Sequence, residues 1–444
     1  MAATPRRVVV VGAGSAGAVL AARLSERPDV HVTLLEAGPD HRSHDTPEAI
    51  AGLDWMAAKD LPGRFWPDLL AERAPGQAPS LYVRGRGVGG SSAINAMVAL
   101  PGEPADYDEW ERSHGCTGWA WADVAPWFGR TRLELHRAPR HEWGPVSRAV
   151  GEMWPTAHAG VLLTRTHDGL RVSVNDAYLE PARDRPNLAI HGDTLVDRVL
   201  FHDRNACGVL TADGATIEAD LVVLSAGAIH SPVILQRSGV DTPGVGDNLH
   251  DHPSFPITVL RREPAAAGEL PAATVAQLSQ GSNDRDLQIL PLDFVDRTMP
   301  DVAVVMAALM RTYSRGTVRS AGASPDLPPT VQFNMLTDER DVIGLSAAID
   351  HAEALLAHPG FAAVGTPLEY RRDHDSLRAA VGDYVHAAGT CAMGSVVDPQ
   401  CRLNGYTGMV VCDASVMPVA PRANTHLPTV MIAERIAAVT AARL

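Results

Sequence analysis

The chain has 444 residues, 45% of them hydrophobic, and a formal net charge of −14 at neutral pH. Its length supports two domains' worth of core. The acidic balance argues against a nucleic-acid-binding surface, and no apolar run is long and glycine-free enough to span a bilayer. The five cysteines (Cys116, Cys207, Cys391, Cys401, Cys412) have neither CxxC nor metal-ligand spacing and are expected to be reduced thiols.

The first predicted element is a strand ending in four valines, Val8 to Val11, followed by Gly12-Ala13-Gly14-Ser15-Ala16-Gly17 and an Ala/Leu helix through Leu24. A continuous run of β-branched residues predicts a buried parallel strand. Gly12 permits the tight turn, Gly14 lets backbone approach a pyrophosphate, and Gly17 lets helix and strand pack closely. The pyrophosphate would rest on the helix N-terminus, where unpaired N–H groups favour negative charge. A second strand begins at His31 and ends at Glu36 and Ala37, placing a carboxylate where it accepts from a ribose and repels a 2′-phosphate. The set predicts a dinucleotide site. The arginines and small residues before Ala22 also imitate a secretory signal, but a true one would be Leu-rich and its removal would destroy the phosphate loop. An unprocessed, cytoplasmic chain is therefore expected.

Further along, residues 82–99 concentrate glycines and small hydroxyls around Arg86, Gly90, Ser91, Asn95, Ala96, Met97 and Val98. That density suggests backbone lying against a flat ligand. Strand-like pieces at Leu195–Phe201, Ala206–Leu210 and Leu221–Ser225 are broken by turns at Asp203-Arg-Asn205 and Ala212-Asp-Gly214, and a helix should open after Ala226. A nucleotide-binding fold assembled from separated segments follows. Residues 262–285, rich in Pro, Ala and Ser, read as an irregular excursion. Two motifs then centre on histidines: Tyr384-Val-His386-Ala-Ala-Gly389-Thr390 and Asn424-Thr-His426-Leu-Pro428-Thr429, the second running into a closing helix. Two imidazoles can take a proton from an alcohol and hold the resulting charge.

These motifs together resemble the glucose–methanol–choline (GMC) family of FAD-dependent alcohol oxidases and dehydrogenases. One family signature matches from Gly85 to Asp108 and a second from Gly227 to Gly239. Its closing glycine is replaced by Asp241, and a connecting stretch is missing before Pro243. Further similarity lies at Ala177–Ala182, Ser314–Gly316 and across 384–436. The resemblance implies an α/β (α+β overall) architecture: a Rossmann-type, doubly wound FAD-binding domain from residues 1–150, 190–255 and 376–444. A substrate domain on an antiparallel sheet would come from 151–189 and 256–375.

It further implies that His386 is the principal catalytic histidine and that His426 stands where relatives carry His or Asn. Asp413 and Ala414 would contact the ribityl and pyrophosphate, Pro428 and Thr429 the isoalloxazine, and Val196 the adenine. FAD is expected to be held non-covalently, because Ile94 occupies the position at which some relatives attach flavin to a histidine. His230, His250 and His252 are expected to be structural. The implied substrate is a small alcohol; the electron acceptor (dioxygen, a quinone or another carrier) stays open. Relatives on this fold also include carbon–carbon lyases, and a silent flavoprotein is a third possibility.

Overall fold

The computed structural model describes residues 5–155, 160–281 and 284–444. Val8 to Val11 are at most 4% exposed and form the middle of a five-stranded parallel sheet. The strand Arg6–Val11 pairs with Val30–Leu35 on one side and Leu221–Leu224 on the other; Leu188–His191 and Met409–Val411 complete the edges. A single sheet thus draws strands from widely separated parts of the chain. Helices Gly17–Leu24 and His426–Ala441 pack together beside it. The closing helix is buried nearly all round, which explains its lack of a polar face. Its one buried acid, Glu434, is satisfied by Arg23 at 2.8 Å and by the Tyr178 hydroxyl at 2.7 Å.

The expected domain boundary at residue 190 meets two observations. Leu188 already pairs with Val32 in the parallel sheet, and Tyr178 bonds to the closing helix. The expected turn at Asp203-Arg204 is present, with both residues at positive φ (48° and 62°) linking the antiparallel strands Val196–His202 and Asn205–Thr211.

A second sheet is antiparallel, in the order Ala276–Leu278, Leu287–Leu292, Val302–Leu309, Ser254–Arg261, Gly365–Pro367. Ala276–Leu278 falls within the stretch expected to be irregular, whose residues 282 and 283 lie outside the described ones. Side chains alternate across a strand, so Ala303, Val305 and Ala307 pack with helix Glu339–Leu356, while Val304, Met306 and Ala308 join Leu290 and Leu292 on the other face. That other face becomes the wall of a cavity. Among the described residues, no helix is long and apolar enough to cross a membrane.

Candidate active site

The cavity, about 710 Å³, is lined from one side by the phosphate loop and from the other by Leu290, Leu292 and Met306 of the antiparallel sheet. Its size suits a cofactor with a small substrate. At the nucleotide end Gly12 has φ +95°, and a Cβ on Gly17 would lie 1.9 Å from the Gly12 carbonyl oxygen. Only glycines close this turn. Gly14, Ser15 and Ala16 line the cavity. Gly90 reaches Gly14 so closely that a Cβ would sit 2.6 Å from its Cα, so the 85–92 segment and the phosphate loop touch backbone to backbone.

Glu36 does more than the sequence suggested. Its carboxylate accepts from the backbone N–H groups of Ala13 (2.8 Å), Gly38 (3.0 Å) and Gly87 (2.9 Å), tying three loops together. Burial pushes its pKa up while these bonds oppose the shift. Ala37 accepts from Arg86 at 2.9 Å, and that guanidinium lies over the Trp66 ring. Ser91 Oγ accepts from Gly85 N–H, and Asn95 Oδ1 accepts from Met97 N–H and Arg171. Asp413 accepts from Gly227 N–H (2.9 Å) and Ser231 Oγ (2.6 Å), fixing the start of the helix after Ala226. Ala96, Val98, Val196, Ala414 and Thr429 also face the cavity. Ala13, Gly17 and Pro428 shape it from behind rather than line it.

Both predicted catalytic histidines open onto the same cavity. His386 follows Val385, a β-branched residue held at φ +57°, a conformation that costs on the order of 1–3 kcal/mol and persists only when its surroundings enforce it. The enforcer is Asp251. Its carboxylate accepts from Tyr384 N–H (3.3 Å), His386 N–H (3.0 Å) and the Tyr82 hydroxyl (2.8 Å), and Arg84 donates to the Val385 carbonyl. Burial, with Asp383 nearby, raises the Asp251 pKa to about 7.

His386 meets His252, not His426: the two Nδ1 atoms are 3.0 Å apart, and Asn424 Nδ2 lies 3.3 Å from His386 Nε2. His426 Nδ1 is 2.9 Å from Ser15 Oγ, and its buried Nε2 has no hydrogen-bond partner among the described residues. Burial holds His386 well below the ordinary imidazole pKa, with His252 and Arg84 adding to the depression; His426 is lowered to about 4 by burial and by Arg171. Both are neutral bases.

The expectation for the other histidines is met unevenly. His250 uses both ring nitrogens on backbone, at Asn248 O (2.7 Å) and Ala420 N (2.9 Å). His230 stacks on Trp66 at the cavity wall. His252 instead lies against His386. The sequence held a weak signal of this in the run His250-Asp251-His252, which places an acid and an imidazole side by side but says nothing of their target. Trp55, Trp66, Leu290, Leu292, Met306 and Asn424 also line the cavity without a signal in the sequence that marks them.

A phosphate loop opposed to a pair of neutral imidazoles defines a dinucleotide-dependent oxidoreductase. Models of the GMC oxidoreductase N- and C-terminal domains match residues 7–150 with 141–254, and 312–433. The chain belongs to the GMC oxidoreductase family and is an FAD-dependent enzyme of the alcohol-oxidising type. It is 32% identical to a 5-(hydroxymethyl)furfural oxidase from a Methylovorus species, covering 97% of each chain. It is 31% identical to an oxygen-dependent choline dehydrogenase from Paraburkholderia phymatum, covering 98% of this chain and 92% of that one. A crystal structure of pyridoxine 4-oxidase from Mesorbium loti superposes with a TM-score of 0.87 at 26% identity, over 98% and 99% of the two chains. The furfural oxidase alignment extends over 520 positions although the present chain has 444 residues, so segments of the relative have no counterpart here.

Proposed function

We propose that the enzyme oxidises an alcohol to a carbonyl, with His386 taking the hydroxyl proton and a bound FAD as the group that would supply the hydride acceptor. The observation that carries this reading is that His386 and His426 converge on one cavity. We take His252 Nδ1 as the acceptor across the 3.0 Å contact, which places the shared proton on His386 Nδ1. That leaves a lone pair on His386 Nε2, steadied by the Asn424 amide. We take the Ser15 hydroxyl as the donor to His426 Nδ1, which puts the proton of His426 on Nε2. One histidine is thus a base and the other a donor to the developing alkoxide.

The phosphate loop, the buried Glu36 and the Asp413 clamp are the residues that would hold FAD, which supplies the hydride acceptor when bound. Ile94 offers no nucleophile, so the flavin is non-covalent; acid precipitation should release all the colour, and colour left in the pellet would refute this. The free cysteines, four buried and Cys207 exposed, support a cytoplasmic location. Cell fractionation tests it. The direct test of function is anaerobic bleaching of the flavin by a panel of alcohols. Reduction by one or more is expected; a flavin bleached by dithionite but by no alcohol would overturn the proposal.

A further inference from the structure

The substrate end of the cavity has a definite electrostatic character, and it bears on which alcohol the site takes. Its sheet wall is Leu290, Leu292 and Met306, continued by Met97, Val98, Trp55 and Tyr384 in one apolar cluster. Every carboxylate of the cavity is spent or remote. Asp383 is paired with Arg73 at 2.6 Å. Asp413 and Glu36 are saturated by backbone and hydroxyl donors around the nucleotide loops. Asp68 and Asp326 are exposed at the rim. Arg84 acts at His386 and Arg171 at His426. The buried Asp251, whose carboxylate lies within 4.8 Å of a His386 ring nitrogen, is already taken up by the Tyr82 hydroxyl and the Tyr384 and His386 N–H groups and is not among the cavity-lining residues. A cation placed beside His386 would lose its hydration, meet no unengaged carboxylate among the described lining residues and face Arg84.

We propose, building on the alcohol-oxidation reading above, that the substrate is an uncharged alcohol with an apolar or aromatic body, and that cationic amino alcohols of the choline type are rejected. This separates the chain in specificity from the choline dehydrogenases to which it is similar. Its apolar wall offers a substrate body surface to bury, and its paired histidines address only the hydroxyl.

The test compares three alcohols on the holoenzyme by anaerobic flavin reduction: benzyl alcohol, choline, and 3,3-dimethylbutan-1-ol, which has choline's shape without its charge. The neutral isostere should exceed choline in kcat/KM by about a hundredfold, and benzyl alcohol should equal or exceed the isostere. Choline equal to or better than its isostere would overturn this inference and leave alcohol oxidation standing. Failure of all three, and of the wider panel, would sink the alcohol reading and this inference with it. Met306→Glu, which sets a carboxylate on the partly exposed cavity face of the sheet, should narrow the isostere-to-choline gap at least tenfold. An unchanged gap in a folded, flavin-loaded variant would mean that the sheet wall does not meet the substrate.

Discussion

The two ends of the cavity are built from different materials. The nucleotide end is backbone: glycines in tight apposition, a helix N-terminus, and acids whose oxygens are consumed by N–H groups. The catalytic end is side chain: imidazoles and an amide drawn from Pro253-flanking, Tyr384-flanking and Asn424-flanking segments that meet only in three dimensions. Backbone sites tolerate almost no added atom, whereas side-chain sites tolerate substitution by anything that keeps the hydrogen bond. Variants should therefore fail all at once at one end and by degrees at the other.

The largest effect is expected from Gly17→Ala. The new Cβ would fall 1.9 Å from the Gly12 carbonyl oxygen, a backbone atom that cannot move without opening the turn. The purified protein should carry almost no flavin, or be insoluble. A normal ratio of flavin to protein would show that the nucleotide end is more pliable than the comparison claims.

Next comes His386→Ala. Loss of the positioned base should slow anaerobic flavin reduction by about a hundredfold or more with FAD still bound. Because the His386 pKa is depressed, the imidazole stays unprotonated as pH falls through the ordinary histidine range. His386 itself should accordingly contribute no step between about pH 8 and 6, the sign expected of a base whose pKa lies below the ordinary 6.5, so that a step near pH 7 belongs to Asp251, which titrates at about 7. A rate that still falls away near pH 6.5 in Asp251→Asn would place the base elsewhere.

The same contrast explains what could be read from the chain alone. Gly12, Gly14 and Gly17 act through spacings that any dinucleotide turn demands, so the turn was legible, whereas the bond from Glu36 to Gly87, 51 positions on, was not. His386 and His426 were legible through family motifs. The role of His252 was not, because its partner lies 134 positions away and the choice of partner is made by sheet register and by the strained Val385. The apolar wall was hidden for a related reason: alternation in Val302–Leu309 announces two apolar faces but cannot say that one of them faces a ligand rather than a helix.

His252 offers a graded test. His252→Leu removes the acceptor for His386 Nδ1–H and frees the proton to shift to Nε2, where the base is needed. The rate should fall by tenfold or more, short of the ~10⁴ that a wrong tautomer costs a catalytic triad, since Asn424 still orients the ring. His252→Asn, with an amide oxygen near the position of Nδ1, should recover most of that loss. A purely structural histidine would give two variants of similar rate, and that outcome would end the tautomer argument.

The smallest effect is expected from His426→Asn. The assigned task of His426 is to donate one hydrogen bond from Nε2 while Nδ1 accepts from Ser15. An Asn side chain is shorter but still presents an N–H₂ donor toward the cavity and an oxygen that can accept from the Ser15 hydroxyl. His426→Asn should stay within about tenfold of wild type in flavin reduction, whereas His426→Ala, which removes the donor from a developing oxyanion, should fall toward the hundredfold typical of such a loss. Flavin content must be equal in both variants, because Thr425, His426 and Thr429 line the same wall. If Asn and Ala proved equally slow, imidazole itself would be required, and His426 rather than His386 would become the candidate base.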